Sequence, residues 1–257
     1  MLSQDQSGQY IARLIEARKK AIPITKVPAL SESTQAEAYE VQKAALSMEN
    51  LEFKDLAGWK AAMGTRAAME RFKITDPIYG ALPRDMLVTD GVASSKSFIS
   101  PKLEAEVAFI LKQSLKGGGI SNDEIIQAIG YVAPAYEIAD CRIENWGFDI
   151  PHFISDNAVA AGYLLGKAIP FTDPSQVAGI SCTLHVGKEI FEGKAEAVLG
   201  GPMASFIKMI RGILDIYGEV HEGQLFLSGS LTKPIDMQAG NEYVLKMLGS
   251  ELKLKYI

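Results

Sequence analysis

Three glutamates carry the most chemistry in the 257-residue sequence. Glu104 and Glu106 lie within Pro101-Lys102-Leu103-Glu104-Ala105-Glu106-Val107-Ala108-Phe109-Ile110-Leu111. There Leu103, Ala105, Val107 and Phe109 alternate with the two glutamates, so as a strand the segment sets both carboxylates on one face. Their Cα atoms would then stand about 7 Å apart. The plain alternative is a solvated strand face. Two like charges on an otherwise apolar strand repel, however, and a divalent cation between them removes the repulsion, because hard ions take carboxylate oxygens at about 2.0–2.6 Å. Glu137 strengthens the cation reading. It sits in Val132-Ala133-Pro134-Ala135-Tyr136-Glu137-Ile138-Ala139, where a carboxylate is costly to bury without a cation or a partner. Three carboxylates from two strands suit an octahedral Mg2+ or Mn2+ ion with positions left open for water or a ligand.

Lys60 is the next candidate. It lies in the mostly apolar, glycine-flanked stretch Gly58-Trp59-Lys60-Ala61-Ala62-Met63-Gly64, where a buried ammonium can exchange protons with a bound molecule; the alternative is a surface lysine. His152, His185 and His221 show no metal-ligand spacing. His185 falls in an alternating segment and reads as structural, while His152 is near enough to the acidic region to line a site. No nucleophile–histidine–acid signature, phosphate-binding P-loop or dinucleotide glycine pattern occurs, and Gly117-Gly118-Gly119 is a loop.

Composition narrows the class. Hydrophobic residues at 47% and charged residues at 22% describe an ordinary globular chain able to bury a large core. A net charge of −5, with basic residues single or paired as in Lys19-Lys20, argues against a nucleic-acid partner. Cys141 and Cys182 form neither a disulfide framework nor a zinc site, and read as two buried thiols in a reducing compartment. The opening Met1-Leu2-Ser3-Gln4-Asp5-Gln6 has neither a basic nor an apolar segment. No secretory leader is therefore expected, no apolar run reaches membrane-spanning length, and a cytoplasmic location is expected.

The elements that must position these groups follow from periodicity and caps. Ser3 caps a helix to about Lys20, and the capping box Thr34-Gln35-Ala36-Glu37 begins a second that runs to about Asn50. Ile22–Leu30, with Pro23 and Pro28, reads as an extended connector. A short strand around Lys60 precedes a helix near Ala67–Lys73, and Pro77-Ile78-Tyr79-Gly80 reads as a turn-like break. Strands are expected over Pro101–Lys112 and Tyr131–Ala139, with a short helix capped by Ser121 between them. A hairpin at Gly187-Lys188, a helix between Pro202 and Gly218, and strands near Gln224–Ser228 and Tyr243–Leu248 complete the chain. Helices first and between, with strands in the middle and at the end, make an α+β fold. A helical N-terminal region, residues 1–55, would pack on a β-rich catalytic domain, residues 56–257.

At these residues the sequence resembles the 2-keto-4-pentenoate hydratase and 4-oxalocrotonate decarboxylase family of the fumarylacetoacetate hydrolase superfamily, over roughly residues 35–257. The matching segments are Gly58-Trp59-Lys60, Pro77-Ile78-Tyr79-Gly80, Pro101–Glu106, Pro134-Ala135-Tyr136-Glu137-Ile138 and Ser155-Asp156-Asn157-Ala158. The resemblance implies a mixed, rolled β-structure with helices outside and a metal on Glu104, Glu106 and Glu137. It also implies Lys60 and Asp156 in catalysis, and Lys60, Leu103, Asn157, Ser230 and Thr232 about the substrate. Such enzymes are lyases of aromatic meta-cleavage catabolism and are commonly homo-oligomeric. The implied substrate is a small unsaturated 2-oxo acid.

Two reactions are implied. A decarboxylase would release the distal carboxylate of 2-oxohex-3-enedioate; a hydratase would add water to a 2-hydroxy-2,4-dienoate. Ile78, where hydratases often carry Asp, and Arg142-Ile143-Glu144-Asn145-Trp146-Gly147-Phe148-Asp149 resemble the decarboxylase form. The segment Gly229-Ser230-Leu231-Thr232-Lys233-Pro234 resembles the hydratase form. Val159 and Gly201 stand where many members have Ser and His, which motivates a reading of another class: a weakly active partner subunit within a complex with a homologous hydratase or decarboxylase. Decarboxylation is the favoured expectation.

Overall fold

The alternating segment around Glu104 and the apolar run around Glu137 become the two longest strands of the molecule. The computed structural model describes residues 3–257, so Met1 and Leu2 of the N-terminal hexapeptide lie outside the described residues. In chain order the longer strands are β1 (Gly58–Ala62), β2 (Ile78–Leu82), β3 (Lys102–Leu111), β4 (Ile129–Ala139), β5 (Ala160–Leu165), β6 (Ser181–Val186), β7 (Glu189–Lys194), β8 (Leu225–Ser230), β9 (Glu242–Met247) and β10 (Ser250–Tyr256). The longer helices are α1 (Gln4–Lys20), α2 (Gln35–Met48), α3 (Arg66–Phe72), α4 (Asn122–Gln127), α5 (Ile150–Ser155) and α6 (Gly201–Tyr217).

The principal sheet runs β2-β1-β8-β3-β4-β5, and every neighbouring pair is antiparallel except β1 with β8. A second sheet runs β7-β6-β9-β10. Alternation along β3 and β4 decides what each face of the principal sheet meets. Leu103, Ala105, Val107 and Phe109 join Val132, Tyr136 and Ile138 in one large buried cluster with Phe206, Met209 and Ile210 of α6 and Leu184, Tyr243 and Leu245 of the second sheet. The opposite face carries small residues, Ala108, Ala133, Ala135 and Ala160, packed with Leu225 and Leu227. Their size lets that face close upon itself, and the glutamates share it. This is the expected α+β arrangement: a mixed, rolled sheet with helices outside.

The N-terminal helices form as their caps dictate. Ser3 with Gln6, and Thr34 with Glu37, make reciprocal capping boxes at the starts of α1 and α2. Both helices share a core with the body: Tyr10, Ile11, Leu14, Ala38, Tyr39 and Val41 pack with Ile78, Phe153 and Ile154. Gln42 adds polar pinning, donating to the carbonyls of Tyr79 at 3.1 Å and Ile154 at 3.0 Å.

Two local expectations are corrected. Pro77–Gly80 is not a break: Ile78–Leu82 is strand β2, paired along its whole length with β1. Pro77 precedes the strand, where its missing N–H costs no ladder bond, and the pairing is a tertiary event. The connector Ile22–Leu30 is also not extended throughout, because Pro28–Ser31 forms one helical turn with Pro28 at its start. Among the described residues no helix is long and apolar enough to cross a membrane.

The parallel β1–β8 pair places Lys60, and Gly58 permits it. A Cβ at Gly58 would stand 1.8 Å from the carbonyl oxygen of Leu225 on β8. Gly58→Ala should therefore lower the free energy of unfolding by about 3 kcal/mol or abolish soluble expression. Gly8→Ala, within α1 where nothing among the described residues stands within 4 Å of the added carbon, should raise it by about 0.5–1 kcal/mol. Urea unfolding followed by circular dichroism measures both.

Candidate active site

Strand register assembles the acidic cluster. Glu104 on β3 lies directly opposite Glu137 on β4, while Glu106 lies opposite Ala135 on one side and Ser230 of β8 on the other. Like charges placed opposite each other destabilise a strand pair, and here three of them converge: one oxygen from each glutamate lies within 4.8 Å of the others. Glu106 and Glu137 are fully buried, whereas Glu104 is half-buried and opens onto a cavity.

Only part of this charge is met by protein partners. Glu106 Oε2 accepts the Gly229 N–H at 2.7 Å. Lys60 Nζ, itself buried, lies 2.6 Å from Glu137 Oε1 as an ion pair, but at an angle outside hydrogen-bonding geometry. Among the described residues, Glu106 Oε1 and both oxygens of Glu137 have no hydrogen-bond donor. One ammonium among three carboxylates leaves a surplus of negative charge, and the protonation of the free cluster reflects it. Burial, then the neighbouring Glu137, pushes the Glu104 carboxyl up to about 7. Burial, Glu137 and Glu104 push Glu106 well above the usual carboxylate range, against the Gly229 N–H and Lys60. Orphaned oxygen donors, all hard, converging within 4.8 Å, form a donor set that fits a divalent cation such as Mg2+.

The cluster opens into a cavity of about 660 Å3, the size of a small-molecule site. Lys60, Glu104, Ser230 and Thr232 line it. The hydroxyls of Ser230 and Thr232 are buried and have no hydrogen-bond partner among the described residues. Its apolar wall includes Met63, Trp146, Phe148, Phe153, Val159 and Val198. Backbone geometry places part of that wall: Asn157, Ala158 and Val159 all have φ near +50°, at 52°, 49° and 56°. Three successive non-glycine residues in the left-handed region store strain, and for β-branched Val159 most of all. The surrounding hydrogen bonds hold them there.

Those bonds come from residues expected in the site itself. Asp156 is brought not to the cavity but to Arg142, whose backbone N–H donates to Oδ2 at 2.9 Å and whose Nε donates to Oδ1 at 2.5 Å. Arg142 also donates to the carbonyls of Asp156 at 2.6 Å and Ala160 at 3.0 Å, and to that of Asp140. Burial nevertheless raises the Asp156 carboxyl to about 6, against the pull of the guanidinium. Asn157 clasps β2, accepting from Ala81 N–H at 2.7 Å and donating to Ala81 O at 2.8 Å. Leu103 points to the opposite face of β3, in the main core. His152 is buried away from the cavity, bonded to Asp149 and accepting the Val27 N–H at 3.0 Å. His185 is paired with Thr183, Ile78 is core, and both cysteines are buried thiols. Lys102, Lys194 and Lys233, which line the cavity, carry no sequence signal. They come from three separate segments of the chain.

Because the free fold holds a proton on Glu104 that an unfolded chain would release, its stability falls as pH rises from about 4.5 through about 7. A bound cation replaces that proton. Magnesium should therefore raise the melting temperature more at pH 8 than at pH 6, as read by differential scanning fluorimetry. Equal shifts at the two pH values would count against the cluster as the cation site.

A scan of protein-family models gives no match to this chain. Individual relatives are clear. The chain is 30% identical over 243 residues to 2-oxo-hept-4-ene-1,7-dioate hydratase of Escherichia coli, covering 90% of each. It is 29% identical over 221 residues to 4-oxalocrotonate decarboxylase of Pseudomonas putida, covering 85% of this chain and 83% of that one. Its structure superposes on 4-oxalocrotonate decarboxylase from Pseudomonas putida G7, complexed with magnesium and adipate, with a TM-score of 0.92, at 26% identity over 100% of this chain and 99% of that one. A more distant likeness, with a TM-score of 0.58 at 18% identity, joins its fold to a fumarylacetoacetate hydrolase family protein from Yersinia pestis. On its sequence identity and full-length superposition, the chain belongs to the family of 4-oxalocrotonate decarboxylases and 2-keto-4-pentenoate hydratases.

Proposed function

We propose that this protein is a divalent-metal-dependent lyase that decarboxylates a small unsaturated 2-oxo acid of the 2-oxohex-3-enedioate type. The observation that carries the proposal is the convergence of three carboxylates, with orphaned oxygens, at a cavity whose remaining wall is largely apolar. Glu104, Glu106 and Glu137 would hold the cation, Mg2+ or Mn2+. When bound, it would supply Lewis-acid stabilisation to the negative charge that develops on the 2-oxo group.

The chain's own groups supply the rest. Ser230 and Thr232 present free hydroxyls that can donate to the substrate's 1-carboxylate. Lys60 holds a proton at Nζ beside Glu137 and faces the cavity, so it can protonate or orient the oxygen that receives the electron pair as the carbon–carboxylate bond breaks. Trp146, Phe148, Phe153 and Val159 exclude water from the reacting chain. An apolar surrounding disfavours a carboxylate relative to neutral carbon dioxide, which favours release. Asp156 acts at one remove: paired with Arg142, it holds the strained turn that presents Val159.

Hydration of a 2-hydroxy-2,4-dienoate is the second reading. It rests on the hydratase relative at 30% identity and on Lys60, which could deliver the proton that water addition requires. A homo-oligomer belongs to the same proposal: Val92 and Ile257 are exposed apolar residues on one sheet edge, and light scattering after gel filtration reads the assembly directly.

With magnesium, the purified protein should release carbon dioxide from 2-oxohex-3-enedioate, and Glu106→Gln should lower kcat at least about a thousandfold while weakening magnesium binding. Unchanged turnover in that variant would refute the metal assignment. Dienol consumption without carbon dioxide would favour hydration. Asp156→Asn, which leaves Arg142 buried and half-paired, should cost about 3–5 kcal/mol of stability in urea and leave magnesium affinity unaltered.

A further inference from the structure

The aromatic rings that line the cavity, Trp146, Phe148 and Phe153, all come from one short segment, residues 143–153. Its backbone is strained. Asn145 and Trp146 have φ of 56° and 54°, and successive non-glycine residues in the left-handed region persist only where their surroundings hold them. Part of the hold is at the surface: Trp146 Nε1 donates to the carbonyl of Ser100 at 3.0 Å, and Lys102 Nζ lies 5.2 Å from the indole ring. Phe148 stacks on Phe72 of α3, with ring centroids 5.7 Å apart, and packs on Phe153 at 4.7 Å.

A second hold comes from the N-terminal connector, residues 22–31, which grips the segment at both ends. Before the strained pair, the Ile24 N–H donates to the carbonyl of Arg142 at 2.8 Å, and the Ile24 carbonyl accepts the Glu144 N–H at 3.0 Å. Beyond it, the Val27 N–H donates to Nε2 of His152 at 3.0 Å. Because Nε2 accepts, the neutral ring carries its proton on Nδ1, which faces Asp149 Oδ1 at 2.6 Å. Asp149 ties these groups together. Its Oδ1 also accepts the His152 N–H at 3.2 Å, capping α5, while its Oδ2 accepts the Ser31 hydroxyl at 2.8 Å and lies 3.7 Å from Lys26 Nζ. His152 is fully buried and faces α1, where its ring meets that of Tyr10 edge-on at 5.9 Å. The proposed chemistry uses neither member of this imidazole–carboxylate pair.

We infer that His152 and Asp149 are positioning residues, through which the N-terminal connector holds residues 143–153 in the conformation that closes the aromatic side of the cavity. The inference rests on the proposed function only for the use to which the closed cavity is put. A wall that is closed for part of the time lowers the apparent affinity by the closed fraction, and leaves turnover of the closed complex unchanged. Loss of the clasp therefore shows in KM rather than in kcat.

Two substitutions of the same side chain separate the clasp from mere filling of space. In His152→Asn the amide stands near the position of Nδ1, keeping a donor for Asp149 and losing the acceptor for Val27. In His152→Gln the amide reaches the position of Nε2 and keeps that acceptor. With magnesium and 2-oxohex-3-enedioate, His152→Asn should raise KM about threefold to tenfold with kcat within about twofold of wild type, and His152→Gln should keep KM within about twofold. The chain has two tryptophans and Trp59 is fully buried, so acrylamide quenching of the substrate-free protein reports on Trp146. Quenching should increase in His152→Asn and stay at the wild-type level in His152→Gln. The double variant Lys26→Gln/Ser31→Ala removes both connector partners of Asp149 Oδ2 and leaves the buried ring in place. It should move KM and quenching in the same direction by about twofold, and it reads the clasp even where His152→Asn does not fold. Equal effects of Asn and Gln at residue 152, or a double variant with wild-type KM and quenching, would overturn the assignment. A wild-type protein without turnover would overturn the proposed reaction instead, and the quenching comparison would still decide the clasp.

Discussion

Everything about this molecule's site descends from an electrostatic conflict within one sheet. Register puts Glu104 opposite Glu137 and Glu106 two pairs along, on a face whose neighbouring strand positions are largely alanines. Burying a carboxylate costs several kcal/mol even after relaxation, and the cluster does so with Lys60 and a single Gly229 N–H as the cationic and hydrogen-bonding relief. Raised carboxyl pKa values for Glu104 and Glu106 express the unsatisfied remainder. A folded chain tolerates such a remainder when a ligand completes it, and the completing group suited to hard, converging oxygens is a divalent cation.

The scaffold is organised around keeping that conflict in place. The strands bearing the glutamates lie in the interior of the sheet, flanked on both sides by paired neighbours. Lys60 reaches the cluster through the parallel pairing of β1 and β8, which tolerates no side chain at residue 58. On the far face, Phe109, Phe206 and Phe226 pack ring against ring and anchor β3, α6 and β8 as one body. The buried Arg142–Asp156 pair performs a different task. It spends its hydrogen-bonding capacity on the carbonyls of Asp140, Asp156 and Ala160, and so holds the left-handed turn at Asn157–Val159 against its strain. Asp156, which the family resemblance implies in catalysis, is bonded to Arg142 and does not line the cavity.

How the cavity divides explains why its two ends differ in how readily they are read. The metal end is built from adjacent strands whose ladder brings fixed residues opposite each other. The rim is built where β7 of the second sheet touches the chain leaving β8, and its charges depend on loop paths rather than a ladder.

From the amino-acid order alone, much of this was determined. Alternation around Glu104 specified a strand with both carboxylates on one face, and the apolar setting of Glu137 marked a third that needed a partner. Capping boxes set the starts of α1, α2 and α4, and Pro202 with Gly218 bounded α6. These are local signals, carried within one turn or one pleat. The strand at Ile78–Leu82, the withdrawal of Asp156 and Asn157 from the cavity, and the arrival of Lys194 and Lys233 at its rim were decided by tertiary structure. Each depends on which strand lies beside which, and that is set by burial and register between segments far apart in the chain, where no spacing of residues along the sequence can report it.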